Sequence, residues 1–209
     1  MKMSRWKPLE GKYPSETSGI DAFIITGSVC SVYDDFPWIR TLMQYIRYIY
    51  DTQPHIKFFG SCFGHQILAQ SLLAEHGVRV EKSKYGWENG VHDVTHSAQF
   101  TAYFPLLREE AMRYQFVHQD EVVADYLPYG WLSIGYSDMC AIQGLFQPGR
   151  VLTYQGHPEF DRDILYYFMD MLDRSGAIDD VEYATSLKLI DQDTTSGLAA
   201  EVVLKFLEM

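Results

Sequence analysis

Two short stretches bring together a thiol, an imidazole and a carboxylate with the glycines that a tight turn needs. The first is Gly60-Ser61-Cys62-Phe63-Gly64-His65-Gln66; the second, far downstream, is Gln155-Gly156-His157-Pro158-Glu159-Phe160. A thiol at a helix N-terminus meets the positive end of the helix dipole and unpaired backbone N–H groups, both of which favour the thiolate. His157 is the candidate base for Cys62. Glu159, on a link stiffened by Pro158, is the candidate group to hold the imidazole tautomer and stabilise the imidazolium. The chemistry implied is nucleophilic catalysis by a cysteine activated by a neighbouring base.

Such groups need a scaffold, and the flanking residues supply one. The run His55-Ile56-Lys57-Phe58-Phe59 before Cys62 reads as a buried strand and Ile67 to Leu73 after it as a helix, so Cys62 falls at the tip of a strand–turn–helix elbow. Gly60 and Gly64 leave room for the backbone to turn and for a substrate to approach. Val151 to Gln155 reads as another buried strand, with His157 just beyond its end, where catalytic groups collect in open α/β sheets.

Asp21 to Thr26 is a further short apolar run. It is separated from His55–Gly60 by a helical pattern at Trp38, Ile39, Leu42, Met43, Ile46 and Ile49. Strand, helix and buried strand imply a parallel, right-handed crossover. Ala74 to Gly77 reads as a helix stop, and Val78 to Val94 as short strands about a glycine-containing turn. Arg113–Val117, Trp131–Tyr136 and Ala141–Phe146 read as strands of an antiparallel layer flanking the parallel one. Asp161–Leu172, Ile178–Ile190 and Leu198–Leu207 read as helices, the last after a break at Asp193 to Gly197.

The elbow, followed by a strand-borne His-Pro-Glu in that chain order, resembles the class I glutamine amidotransferase family, whose triad is Cys-His-Glu. Asp21 to Ser28, ahead of Ser31 to Asp35, is similar to the segment in which that family places an oxyanion-hole glycine. Tyr85 to Gly90 and His118 to Val122 resemble further family blocks. These look most like stand-alone fungal and plant members, some of which act on γ-glutamyl peptides or sit in biosynthetic pathways. The similarity runs from about Asp21 to the end.

The resemblance implies an α/β fold, a flavodoxin-like mainly parallel sheet with flanking helices and a small antiparallel layer. It implies a triad of Cys62, His157 and Glu159 and oxyanion donors at the backbone amides of Gly27 and Phe63. Gln66, Ser28, His118, Gln119 and Asp120 would hold the glutamyl α-amino and α-carboxyl ends, with no metal and no cofactor. Family members begin with a strand, a helix and a second strand before the segment matching Asp21 to Ser28, which residues 1–20 do not match. So 1–20 is expected to be a short N-terminal segment and 21–209 the domain, lacking the family's first strand and helix. Without that first strand, Asp21–Thr26 would become an exposed apolar edge. Three readings are then open, a true short variant, an incomplete sequence or a dimer that covers the edge, and an incomplete or degenerate start is preferred.

Three functions follow from different classes. In the first, Cys62 attacks the δ-carbonyl of glutamine, and the ammonia released passes to a separate synthase chain. The second is a stand-alone γ-glutamyl peptidase on glutathione-type conjugates, marked by an open pocket beyond the γ-carbonyl, lined by the Tyr85–Asn89 loop. The third is a non-catalytic truncated homologue with a binding role, in which Cys62 would show only ordinary reactivity toward a glutamine-site alkylating reagent.

Composition narrows the partners. The chain of 209 residues is 47% hydrophobic with a formal charge of −11, enough for one well-buried domain and without the basic run that a nucleic-acid surface requires. Met1 to Pro8 carries no apolar signal core, and no stretch approaches a membrane-spanning length. Three cysteines cannot close a disulfide set within one chain, so a cytoplasmic, reducing setting is expected. Cys30 and Cys140 lack the context of Cys62 and read as structural. His92 and His96 share a strand face without a third ligand, which argues against a metal. Trp87 and Glu88 read as packing and rim residues, and Ser61 as a mild departure from the aliphatic residue or Thr common in the family.

Overall fold

The computed structural model describes residues 2–209. β1 (Ala22–Ile25) leads to α1 (Pro37–Thr52), whose Pro37 is preorganised for the first helical position. Its buried stripe Ile39, Leu42, Ile46 and Ile49 follows the three- and four-residue spacing of one helix face. β2 (Lys57–Ser61) runs straight into α2 (Phe63–Leu73). That helix is buried on nearly every side, its polar His65 and Gln66 included, which requires partners for their side chains. A 3₁₀ turn at Ala74–His76 closes on Gly77 in the left-handed region, at the expected stop.

β3 (Arg79–Lys82) and β4 (Glu88–His96) follow, then α3 (Ala98–Tyr103), capped by the Ser97 side chain. Next come β5 (Met112–His118), β6 (Asp120–Val123), β7 (Leu132–Ser133), β8 (Gly135–Tyr136), β9 (Leu145–Gln147) and β10 (Val151–Tyr154). Three helices close the chain: α4 (Arg162–Ser175), α5 (Asp180–Ile190) and α6 (Ser196–Glu208).

The central sheet has the order β1-β2-β10-β9-β7, with β1, β2 and β10 parallel and β9 antiparallel to both of its neighbours, β10 and β7. The register sets Phe59 beside both Ile24 and Leu152 and brings the end of β2 level with the end of β10, Ser61 opposite Tyr154. Phe58 and Phe59 point to opposite faces, as neighbours on a strand must. Phe58 packs with Ile67, Ile39 and Val151 under α1 and α2; Phe59 packs with Tyr114, Phe116, Tyr154 and Phe206 under β5 and α6.

β1 is the sheet edge. Ile24 is 45% exposed there, and among the described residues no strand lies on its outer side. Tyr13 of the N-terminal segment instead rests on Tyr45 of α1, with ring centres 4.7 Å apart.

The antiparallel part departs from expectation. Trp131–Tyr136 is not one strand: it breaks at Ile134, so that β7 extends the central sheet while β8 pairs with β4. The crossing is tight, since a β-carbon at Gly135 would stand 2.2 Å from the Thr95 carbonyl oxygen. Of the second stretch, Ala141–Phe146, only Leu145 and Phe146 are strand, in β9, which ends at Gln147 and joins the central sheet against β10. β3 and β4 do not pair with each other; β3 pairs with β6, and β4 lies between β5 and β8. Among the described residues no helix is long and apolar enough to cross a membrane.

Candidate active site

The elbow places Cys62 between β2 and α2 with φ 54° and ψ −111°. Among the described residues it is the one non-glycine with positive φ, a conformation that persists only when the surroundings over-determine it. Two restraints do so here. The Cys62 N–H donates to the Tyr154 carbonyl at 2.8 Å, continuing the β2–β10 pairing, and its carbonyl accepts the Gln66 N–H at 3.1 Å, starting the helix. The close packing of α2 depends on Gly64, where a β-carbon would stand 2.0 Å from the Ile25 carbonyl oxygen. Cys62 is buried, at 8% exposure.

His157 is fixed through its backbone and both ring edges. Its N–H donates to the Gln115 carbonyl at 2.7 Å, binding the end of β10 to β5. The ring lies flat on Phe160, with centres 3.9 Å apart and planes 7° from parallel, and Phe160 in turn stacks on Phe168. Nδ1–H donates to Glu159 Oε1 at 2.8 Å. Burial works against the imidazolium, but the Cys62 sulfur beside the ring and the Glu159 carboxylate outweigh it and raise the His157 pKa to about 9. Partial burial likewise opposes the Glu159 carboxylate, and the His157 bond more than compensates, so Glu159 stays below the usual range.

A fourth side chain joins the set. The Ser61 hydroxyl donates to the same Glu159 Oε1 at 2.8 Å and lies 3.4 Å from His157 Nδ1. Local sequence carried no signal of this contact, which spans 98 positions.

Gly27 lies in the loop after β1, directly against the pair: a β-carbon there would stand 3.0 Å from His157 Cε1 and 3.7 Å from both His157 Nε2 and Cys62 Cβ. Phe63 is the first residue of α2, where the N–H has no intrahelical acceptor. Among the described residues neither the Gly27 nor the Phe63 N–H is donated to a protein acceptor. Two free N–H groups beside a buried thiol can receive a developing oxyanion. Ser28 accepts the Cys30 N–H at 3.2 Å as a turn residue.

The remaining candidates form a polar layer behind the elbow. Gln66 is buried, and its amide donates to the Asp120 carbonyl at 2.9 Å and to Gln155 Oε1 at 3.1 Å. Both Asp120 carboxylate oxygens are engaged, by Ser31 Oγ at 2.5 Å and Tyr33 OH at 2.7 Å, which ties the loop after Gly27 to β6. Gln119 gives its carbonyl to the Ser83 N–H at 2.7 Å. The ring nitrogens of His118 face the Asp120 carbonyl at 3.0 Å and Glu88 Oε2 at 2.8 Å. His65, fully buried, contacts Thr153 Oγ1 at 2.7 Å; burial, with His118 nearby, lowers its pKa to about 3.

Glu88 is not a rim residue. It is 2% exposed and accepts from His118, from Ser137 Oγ at 2.5 Å and from Gln143 Nε2 at 2.8 Å. Burial alone would neutralise it, yet these donors hold its pKa below the ordinary carboxylate value. Trp87 is half-buried and bonds the Ala177 carbonyl at 3.1 Å. Burial pushes the Cys140 thiol far up. His92 and His96 face aromatic neighbours Phe116 and Phe100, and no metal-holding group of three or more His, Cys, Asp or Glu occurs among the described residues.

The class-I glutamine amidotransferase family profile matches residues 3–164. A glutamine amidotransferase-like protein of Schizosaccharomyces pombe is 30% identical over 199 residues, covering 93% of this chain and 76% of its own length. Gamma-glutamyl peptidase 5 of Arabidopsis thaliana is 28% identical over 193 residues, covering 90% and 69%. The solved structure of a glutamine amidotransferase from Thermotoga maritima superposes with a TM-score of 0.71 at 22% identity, over 96% of this chain and 84% of that one.

Proposed function

Because this chain belongs to the class I glutamine amidotransferase family, we propose that it hydrolyses a γ-glutamyl amide, glutamine to glutamate and ammonia, through a thioester on Cys62. The observation that carries this reading is the contact set around His157: Cys62 at one edge of the ring, Glu159 at the other, and a pKa raised to about 9.

The steps follow from that geometry. Cys62 sulfur attacks the δ-carbonyl carbon while the Gly27 and Phe63 N–H groups receive the oxyanion. His157, having taken the thiol proton, returns it through Nε2 to the leaving nitrogen, and ammonia departs as the carbonyl reforms. Water then enters, loses a proton to His157 and attacks the thioester; collapse releases glutamate and regenerates the thiol. Glu159 remains ionised throughout and keeps Nδ1 protonated. Gln66, Ser28, His118, Gln119 and Asp120 are assigned to the glutamyl ends by the family resemblance, with the side chains of Gln66, His118 and Asp120 acting through the loops they brace. The preorganised triad supports catalysis over a purely binding role.

The likeness to a plant γ-glutamyl peptidase favours a second reading, in which the leaving group is the amine of a γ-glutamyl peptide rather than ammonia. In the first reading the ammonia is consumed by a separate synthase chain. Three free cysteines, one of them the nucleophile, support a reducing compartment such as the cytoplasm.

Glutamate release from glutamine, glutathione and an S-substituted glutathione, with Cys62→Ala as control, tests both. Cys62-dependent release from glutamine alone supports the amidotransferase, and release from the peptides alone the peptidase. No release from any of them by folded protein counts against both.

A further inference from the structure

We propose that Ser61 is a positioning residue, its hydroxyl locking the Glu159 carboxylate onto His157 so that the imidazole is held in the tautomer that serves Cys62. The inference deepens the cysteine-hydrolase reading and rests on it.

Glu159 needs such a lock. It sits on the turn after β10 with 47% of its side chain exposed, so water competes for the carboxylate and its rotamers are not confined by packing. Ser61, by contrast, is 3% exposed and belongs to the rigid end of β2, level with Tyr154. Strand alternation puts it on the face of Phe59, and its hydroxyl reaches Glu159 Oε1 at 2.8 Å.

The same oxygen receives His157 Nδ1–H at 2.8 Å, so a buried donor and the imidazole converge on one carboxylate atom. The hydroxyl proton is thereby directed at Oε1. At 3.4 Å, Ser61 Oγ offers Nδ1 no proton, which leaves Nδ1–H to Glu159 and the Nε2 edge to Gly27 and Cys62. An aliphatic side chain at 61 would leave the Glu159 carboxylate held by His157, its own backbone N–H and solvent, with no buried side-chain donor from β2.

The position is also coupled mechanically to the nucleophile. Ser61 is the residue immediately before Cys62, and the strained turn at Cys62 is pinned by the N–H bond to the Tyr154 carbonyl at 2.8 Å. One strand end therefore sets both the sulfur and the carboxylate that orients its base.

Ser61→Thr and Ser61→Val are nearly the same shape and differ in the hydroxyl; Ser61→Ala removes it without added bulk. We would follow His157 ring titration by NMR in the four proteins, alongside kcat and KM for the best γ-glutamyl substrate and thermal melting. The hydroxyl-less variants are expected to titrate His157 at lower pH than the wild type, with kcat about ten- to a hundredfold lower, KM within about twofold and melting little changed. Ser61→Thr should restore both titration and kcat relative to Ser61→Val. An unchanged His157 titration in Ser61→Ala, or identical behaviour of the Thr and Val variants, overturns the proposal. Should the wild type release no glutamate, the hydrolase reading fails, and the ring titration still decides whether Ser61 governs His157.

Discussion

Gly27 is packed so closely on His157 that a β-carbon would stand 3.0 Å from the imidazole Cε1. The glycine is there for proximity and not for an unusual backbone angle, as its φ lies outside the positive range. Gly27→Ala should therefore fold normally but tilt the ring and crowd the approach of a carbonyl. A displacement of this kind is expected to cost about a hundredfold in kcat, checked by steady-state glutamate release with thermal melting as the control.

The pH dependence follows from the ring's surroundings. His157 is raised to about 9 in the folded chain, burial opposing and the Cys62 and Glu159 contacts prevailing. A folded pKa above the unfolded value of about 6.5 gives stabilisation that is complete below that pH and is lost as pH climbs through the folded value. Turnover should decline above about pH 9, where the proton for the leaving nitrogen is gone. Cys62→Ala removes the strongest favourable contact and should lower the ring's NMR titration midpoint; a midpoint unmoved by this change would contradict the assigned pairing.

Asp120 acts on the site from outside it. Ser31 and Tyr33 both donate to its carboxylate, so the loop that carries Gly27 is strapped to β6. Asp120→Ala should raise hydrogen exchange across residues 27–36 and lower kcat, while the exchange of α2 and β10 stays as in the wild type. Hydrogen–deuterium exchange read by mass spectrometry separates this outcome from general destabilisation.

Glu88 carries a stability prediction. Truncating a buried carboxylate that is bonded to His118, Ser137 and Gln143 removes the acceptor of three hydrogen bonds at once. Glu88→Ala is expected to lose about 3 kcal/mol or more in urea unfolding, and Glu88→Gln, which keeps an acceptor oxygen, clearly less.

The residues that were legible in sequence are those whose meaning is local. The elbow at Cys62 is announced by glycines at fixed offsets between a strand and a helix, and His157 and Glu159, which bond to each other, lie only two residues apart. The fold class, with its parallel crossover from β1 through α1 to β2, was equally readable, because apolar periodicity changes at each boundary. What escaped depends on register. Whether Glu88 faces solvent or core is decided by its pairing opposite His118, 30 positions away. The division of Leu132–Tyr136 between two sheets is decided by where β4 and β9 pass. No local pattern distinguishes Ser61 as a partner of Glu159 from Ser61 as a small strand residue.

The backbone at Cys62 has a consequence for how this protein must balance its free energy. A non-glycine residue with φ 54° and ψ −111° costs of order 1–3 kcal/mol, a sizeable share of the roughly 5–15 kcal/mol by which a domain is stable. That cost is concentrated at one residue and is borne by the two strands and the helix that clamp it. The chain thus gives up durability at the residue proposed as its nucleophile, and any change that loosens the clamp relaxes the turn and displaces the thiol from His157 together.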